Sequence, residues 1–390
     1  MACEQVTLQD VCELIVDCPH TSAKDEGVGY PLIRTPNVGR GRLILTDVHR
    51  VSQDVYERRV SRAVPRQGDL ILAREAPAGN VAIVPPGIEV CLGQRTMLLR
   101  SDSSFVVPEY LNYYLNAPEQ RDRMLRLANG ATVSHINVAD IRNMPVQLPS
   151  RGEQSKVAEL LNVLDDKIDL NNRLNDYLEQ LVDGKFQELF GGLNFNATLS
   201  DVAEITMGQS PAGSSYNEEG AGIIFYQGRG EFGWRFPKRR LYTTEPKRLA
   251  CEGDVLMSVR APVGDLNVAF ENCCIGRGLA AIHSETPSFA LYLMRFLKPQ
   301  LEAYNGEGTV FGSINGKALK SLEVALPSHN EVMQFESFAA PIDALIRSNE
   351  NETRKLNNLR NYLLPKLMSG EIDVSKVDLT QLTNNHLADC

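Results

Sequence analysis

Two stretches of this sequence carry side chains suited to reading the hydrogen-bonding edges of another molecule. Arg34, Thr35 and Asn37, followed by Arg40 and Arg42, lie on a Gly/Pro-rich loop after an apolar run. Gln227 and Arg229, then Arg235, Lys238, Arg239 and Arg240, form the corresponding stretch later in the chain. Arginine can fork onto guanine edges and phosphates, and glutamine or asparagine can pair twice with adenine in the major groove. A solvated basic loop is the competing reading. Arg74 and Arg260 flank two similar strand-and-turn segments, where phosphate contact competes with an ion pair to Glu75 or Asp254. His135 and Ser313 close two loops of small polar residues, 130–137 and 308–315. Such loops either grip a nucleic-acid backbone or cap the helix that follows.

Catalytic signatures fail one by one. An Asn/Asp-Pro-Pro-aromatic motif for holding a target amine is missing, since Pro85-Pro86 runs into Gly87. Gly312 to Lys317 resembles a phosphate loop, but Phe311 stands where the first glycine belongs and Ala318 replaces Ser/Thr. Gly228 to Gly233 matches GxGxxG literally, yet Trp234-Arg235-Phe236-Pro237 cannot open the helix a dinucleotide site needs. The six histidines show no ligand spacing, and the carboxylates are not paired for acid/base work. The eight cysteines include no CxxC, which predicts reduced, mostly buried thiols. These residues predict a reader with no catalytic residue, metal or cofactor of its own.

What positions such loops is a repeated domain. Thr7-Leu8-Gln9-Asp10-Val11 returns as Thr198-Leu199-Ser200-Asp201-Val202, and Gly68-Asp69-Leu70-Ile71-Leu72 as Gly253-Asp254-Val255-Leu256-Met257. Each of the latter leads to an Ala-Pro-x-Gly turn, at Ala76 and Ala261. Cys91-Leu92-Gly93 returns as Cys274-Ile275-Gly276, Thr132-Val133 as Thr309-Val310, Ile136-Asn137 as Ile314-Asn315, and Leu148-Pro149-Ser150 as Leu326-Pro327-Ser328. The offsets drift from 191 to 177, so order is kept and loop lengths vary. A repeat this long is a duplicated domain, not a solenoid unit.

Charge follows the repeat. The chain of 390 residues carries −9 overall, which speaks against nucleic acid until it is divided. Residues 1–147 hold 16 basic and 17 acidic side chains and residues 196–327 hold 13 and 14, against 5 and 9 in 148–195 and 6 and 9 in 328–390. The repeated domains are near neutral, and every basic residue of 1–147 except Lys24 is arginine. No apolar run approaches the roughly 20 residues of a membrane span, and the N-terminus lacks a signal pattern, so a cytoplasmic protein is expected.

Each repeat has a mixed part and a helical part. Short β-type runs in 1–147 and 196–326 predict α+β globules with mostly antiparallel sheets, with short proline-opened helices at 108–116 and 287–297. Residues 153–190 predict a long helix with a stripe of Val157, Leu160, Leu161, Leu164 and Ile168, continued by Leu174, Tyr177, Leu178 and Leu181. Gly191-Gly192 should end it. Its partner carries Phe335, Phe338, Ile342, Leu345 and Ile346, then Leu356, Leu359, Leu363 and Leu367. Pro341 is expected to break that helix or restart it, and Pro365 to kink its end. Asn171-Asn172 and Asn349 to Asn351 fall between the apolar blocks, where they either fix the register of a seam or face solvent. The expected architecture is two pseudo-twofold-related globular domains separated by a long antiparallel two-helix coiled coil. Residues 371–390 read as a loosely held polar tail.

The chain resembles the specificity (S) subunit of Type I restriction–modification systems over essentially its whole length. Glu153-Gln154 through Leu164-Asp165-Asp166-Lys167-Ile168-Asp169-Leu170-Asn171, with Leu178-Glu179-Gln180, is similar to that family's central helix. Leu363-Leu364-Pro365-Lys366-Leu367-Met368-Ser369-Gly370-Glu371-Ile372 is similar to the end of its distal helix, and Gly276-Arg277-Gly278 to its recognition domains. The resemblance implies target-recognition domains at 1–147 and 196–326, spacer helices at 148–195 and 327–370, and a tail from 371. It implies double-stranded DNA as ligand, each domain reading half of a split asymmetric target. It further implies two modification subunits that carry S-adenosylmethionine and methylate adenine, with restriction subunits using ATP and Mg where present. Pro341 departs from the pattern, standing where the first copy has Val163. The alternative is a two-headed protein-binding adaptor held apart by a coiled coil, which the arginine-rich loops fit less well.

Overall fold

The structure is a computed structural model that describes residues 4–128, 135–306 and 312–374. It divides into two compact units, one built from residues up to Asp169 and from Thr353 onward, the other from Leu170–Glu352. The division cuts through both long helices. Each unit therefore consists of one mixed α+β domain together with part of each helix.

In the first unit the main sheet runs, in spatial order, Cys12–Asp17, Thr96–Ser101, Leu70–Ala73, Val81–Ile83 and Gly41–Arg42. All its pairs are antiparallel except the last. Leu70–Ala73 is buried on both faces, which is why it reads as an unbroken apolar run. Successive side chains still alternate: Leu70 and Leu72 enter a core with Tyr110 and Leu111, Ile71 and Ala73 one with Ile33, Val38 and Val90. A smaller sheet joins Arg50–Val51, Tyr30–Ile33 and Cys91–Leu92.

The second unit repeats this plan. Glu204–Met207, Leu279–His283, Val255–Ser258 and Leu266–Val268 form the main sheet, with Val255 and Met257 on one core and Leu256 on the other. Ile223–Tyr226 and Cys273–Ile275 form the parallel pair of a second sheet, as Tyr30–Ile33 and Cys91–Leu92 do in the first unit. Both Ala-Pro bonds, Ala76-Pro77 and Ala261-Pro262, are cis. The expected short helices span Pro108–Asn116 and Pro287–Phe296. The matched pair Thr132-Val133 and Thr309-Val310 lies outside the described residues.

The central helix runs Arg151–Phe190 and the distal helix His329–Met368. Each opens on a reciprocal cap: Ser150 Oγ donates to Glu153 Oε2 at 2.7 Å, and Ser328 Oγ to Glu331 Oε2 at 2.7 Å. These carboxylates also accept the backbone N–H of Ser150 and Ser328, so the repeated Leu-Pro-Ser is a helix start signal. In the first unit Val157, Leu160 and Leu161 of the central helix pack with Leu363, Leu364 and Leu367 of the distal helix. Arg360 Nη1 meets Asp165 Oδ1 there at 2.7 Å. In the second unit Val182, Phe186 and Phe190 pack with Phe335 and Ala339, and the Phe186 and Phe335 rings meet edge-on with centroids 5.3 Å apart. Within each unit the helical segments run antiparallel.

The structure changes two expectations about these helices and decides a third. Leu174, Tyr177 and Leu181 are exposed, and the buried line continues from Ile168 through Asn171, Asn175, Val182, Phe186 and Phe190. At 3.6 residues per turn a one-residue phase error turns a side chain about 100° away from the core. Asn171 and Asn349 belong to the buried seam, whereas Asn172 is exposed: Asn171 Nδ2 donates to Glu352 Oε2 and Asn349 Nδ2 to Asn175 Oδ1, both at 2.8 Å. Pro341 neither breaks nor restarts the helix, which is continuous from His329 to Met368. Burial of Phe335 and Ala339 before Pro341, and of Ile346 after it, outweighs the roughly 3 kcal/mol a helix-interior proline costs. The described start of the tail is also held, with Ile372 and Val374 packed on the first core; residues 375–390 lie outside the described residues.

Candidate nucleic-acid interface

The two candidate loops leave their sheets at equivalent points. Ile33 pairs with Leu92 in one parallel pair and Tyr226 with Ile275 in the other, so Arg34 and Gln227 occupy the same position in the two domains. A glycine holds each loop in place. Gly93 N donates to Ile33 O, and Gly276 N to Tyr226 O, both at 2.8 Å. A Cβ on Gly93 would lie 2.8 Å from Ile33 O, and one on Gly276 2.8 Å from Gln227 O. The repeated Cys-x-Gly is therefore the seat of the loop that follows the strand. Arg34 is half-buried, and its Nε is shielded from solvent without a hydrogen-bond partner. Gln227 is exposed.

The rest of the expected set separates by burial. Thr35 and Asn37 are buried in the turn Thr35–Asn37. Thr35 Oγ1 donates to Ala76 O at 3.2 Å, while Asn37 Oδ1 accepts from Arg34 N and its Nδ2 donates to Ile44 O. These two shape the loop that carries Arg34. Arg42 pairs with Asp166 and Asp169 of the central helix, tying the loop to it. Arg74 is buried against Asp17 at 3.1 Å, a partner not foreseen. Arg235 keeps only 4% of its side-chain exposure and meets Glu179, Asp343 and the Tyr292 hydroxyl. For Thr35, Asn37, Arg74 and Arg235 the expectation of direct ligand contact is corrected to structural support, because all four are buried and bonded or ion-paired within the protein.

Arg40, Gln227, Arg229, Lys238, Arg239, Arg260 and Ser313 reach the surface. Arg229 contacts Asp265, and Arg239 lies 2.6 Å from Glu271. His135, half-buried, shares Glu75 with Arg95: Nδ1 is 2.8 Å from Oε1, and Arg95 Nε is 2.8 Å from Oε2. Ser313 and Arg260 form an isolated backbone bridge, as His135 and Glu75 do in the first domain. Arg260 is thus the counterpart of Glu75, one residue beyond the counterpart of Arg74. Residues 130–134 and 308–311 of the small-residue loops lie outside the described residues.

Two further cations belong with this set. Arg277, exposed, stands between the glycines that seat Gln227. Arg121 reaches Asn80 Oδ1 at 3.2 Å, and burial lowers its pKa, with the neighbouring Arg40 charge adding to the effect. Arg277 was legible as the centre of Gly-Arg-Gly; Arg121 sits in an ordinary helical segment and gave no signal. Among the described residues, no helix is long and apolar enough to cross a membrane.

Known proteins align with this geometry. The family described as Type I restriction modification DNA specificity domain matches residues 2–180 and 196–361. A putative type I restriction enzyme MjaX specificity subunit from Methanocaldococcus jannaschii is 31% identical, over 94% of this chain and 93% of its own. The type I restriction enzyme MjaIX specificity subunit of the same organism is 22% identical over 85% of this chain and 84% of its own. The S subunit of a Type I restriction–modification system from M. genitalium, 16% identical, shares the fold with a TM-score of 0.62 over 94% of this chain and 96% of that one. The chain belongs to the Type I restriction–modification DNA specificity family. Within such systems it is a specificity subunit, the non-catalytic component that recognises DNA.

Proposed function

We propose that residues 1–147 and 196–326 each read one half of a split, asymmetric double-stranded DNA target. The helical residues 148–195 and 327–370 then set the number of unread base pairs and dock two modification subunits. Those subunits bring S-adenosylmethionine and methylate adenine; restriction subunits, where the system has them, bring ATP and Mg for cleavage. The complex works on cytoplasmic DNA. The observation that carries this reading is the shared seat of Arg34 and Gln227. Two domains with one backbone plan present, at one position, a guanine-type reader and an adenine-type reader.

Arg40, Arg121, Arg229, Lys238, Arg239, Arg260 and Arg277 are then candidates for phosphate or base contact, with Gln227, His135 and Ser313 beside them. The uncovered face of Leu170, Leu174, Tyr177 and Leu181 supports docking, since spacings of 4, 3 and 4 put these apolar side chains on one side of the central helix. The test is single-molecule methylome sequencing of cells that express the complex with Arg34→Gln or Gln227→Arg. Each substitution should alter or relax one half-site and leave the other intact. An unchanged motif with both variants would remove this position from base reading.

A further inference from the structure

In each unit an aspartate braces the turn that enters the central strand. In the first, Asp69 Oδ2 accepts from Arg66 N at 2.8 Å, and Arg100 forks onto the carboxylate through Nε at 2.8 Å and Nη2 at 2.7 Å. In the second, Asp254 Oδ2 accepts from Cys251 N at 2.8 Å, and Oδ1 lies 2.7 Å from His283 Nδ1. Register makes the match residue by residue. Leu70 pairs with Leu99 and Val255 with Ile282, so Arg100 and His283 each follow the paired residue.

The brace itself needs a backbone N–H and a hydrogen-bonding side chain, and the first unit shows that arginine suffices. The second unit differs at both places. Arg66 and Arg100, which do not ligate metals, are replaced by Cys251 and His283, which do. Sulfur, nitrogen and oxygen donor atoms of Cys251, His283 and Asp254 come within 4.8 Å of one another. Asp254 is buried, while Cys251 and His283 are exposed, so the cluster is anchored on one side and open to solvent on the other. Glu204 lies directly across from His283 on the neighbouring strand and adds negative charge to that face.

We propose that Cys251, Asp254 and His283 form a zinc site, a metal clasp joining the turn before Val255–Ser258 to the end of Leu279–His283. A mixed S, N, O donor set of three with one open position suits tetrahedral Zn²⁺, and the thiolate disfavours Mg²⁺ and Ca²⁺. Two anionic ligands balance the ion's charge. The clasp takes the place of the arginine fork in the first unit. It is independent of which DNA sequence is read.

The full chain, purified reduced and metal-free, is titrated with Co²⁺ and then with Zn²⁺. The expected result is one equivalent bound, with tetrahedral d–d bands and a thiolate-to-cobalt charge-transfer band, both lost as zinc displaces cobalt. His283→Arg rebuilds the first unit's fork and so keeps the fold while removing the nitrogen ligand; Cys251→Ser removes the sulfur. Each should weaken zinc binding at least tenfold and abolish the zinc-dependent rise in Tm, and Cys251→Ser should also lose the charge-transfer band. A native chain without that band, or variants that bind zinc as tightly as the native chain, would overturn the proposal.

Discussion

At the scale of single residues, exposure separates candidate readers from supports, and arginine occupies both classes. Arg229 is 56% exposed and spends one contact on Asp265, a pair that DNA can replace. Arg229→Ala should weaken target binding by about 1–3 kcal/mol if the side chain contacts a base edge. Competition binding against DNA with a changed target checks this, since an equal loss on all sequences assigns Arg229 to phosphate. Arg235 behaves differently. Its removal leaves Asp343 with the Tyr292 hydroxyl and Glu179 with Arg295 beside a largely buried space. Arg235→Met should destabilise the chain by roughly 3 kcal/mol, the lower end for a one-sided loss, because Glu179 and Asp343 keep 16% and 20% of their side-chain exposure. Denaturant unfolding measures it, and an unchanged midpoint would contradict the role. Residue type alone could not tell these two arginines apart, since both stand on the same polar stretch. The difference arises from Glu179 and Asp343, which lie 56 positions before and 108 after Arg235 in the sequence.

Among the elements, those with local signals were legible and those decided by phase were not. Proline-opened helices, the Leu-Pro-Ser starts and the glycine end of the central helix all follow from a few adjacent residues. The Glu331 carboxyl is held below its ordinary range by the Ser328 hydroxyl and then by the Ser328 N–H. A depressed pKa means stabilisation that is present above the ordinary glutamate range and lost as pH falls through the lowered value. Ser328→Ala should therefore lower stability near neutral pH and lower it progressively less in acid. Thermal melts across that range follow it, and a pH-independent penalty would assign the effect to something other than the cap. The stripe on the central helix was misread because leucine and tyrosine outweigh asparagine in any hydropathy count. Only the partner helix decides that Asn171 and Asn175 face inward. Pro341 is passed without a break because buried Phe335 and Ala339 before it and Ile346 after it fix the helix by packing.

For the whole molecule, duplication was plain from Thr7 to Ser150 against Thr198 to Ser328, and it carried the fold. Recognition could be placed only by domain, since Arg34 and Gln227 look unrelated until strand pairing aligns them. Exchanging residues 1–147 for another domain of the family should change one half of the methylated motif; a change in both halves would rule out independent reading. Inserting one helical turn beside Asn171, with a matching turn beside Glu352 to keep the amide seam paired, should lengthen the unread spacer and spare both half-sites. Mapped methylation sites with unchanged spacing would exclude the helices as the determinant of spacing.

The composition of the two compact units has a consequence for synthesis. The second unit is one uninterrupted stretch, Leu170–Glu352, so everything it packs together is available once that stretch has left the ribosome. The first unit is begun earlier and closed later. Leu363, Leu364 and Leu367, which cover Val157, Leu160 and Leu161, are translated about two hundred residues after them. The domain made first is thus completed last, and until then an apolar strip of its helix waits for cover. A nascent chain stalled after residue 352 has emerged from the ribosome, but before residue 363 has, should be cut by protease in its first unit and resist in its second. Premature stop codons between residues 353 and 368 would thus be felt most in the domain encoded farthest upstream.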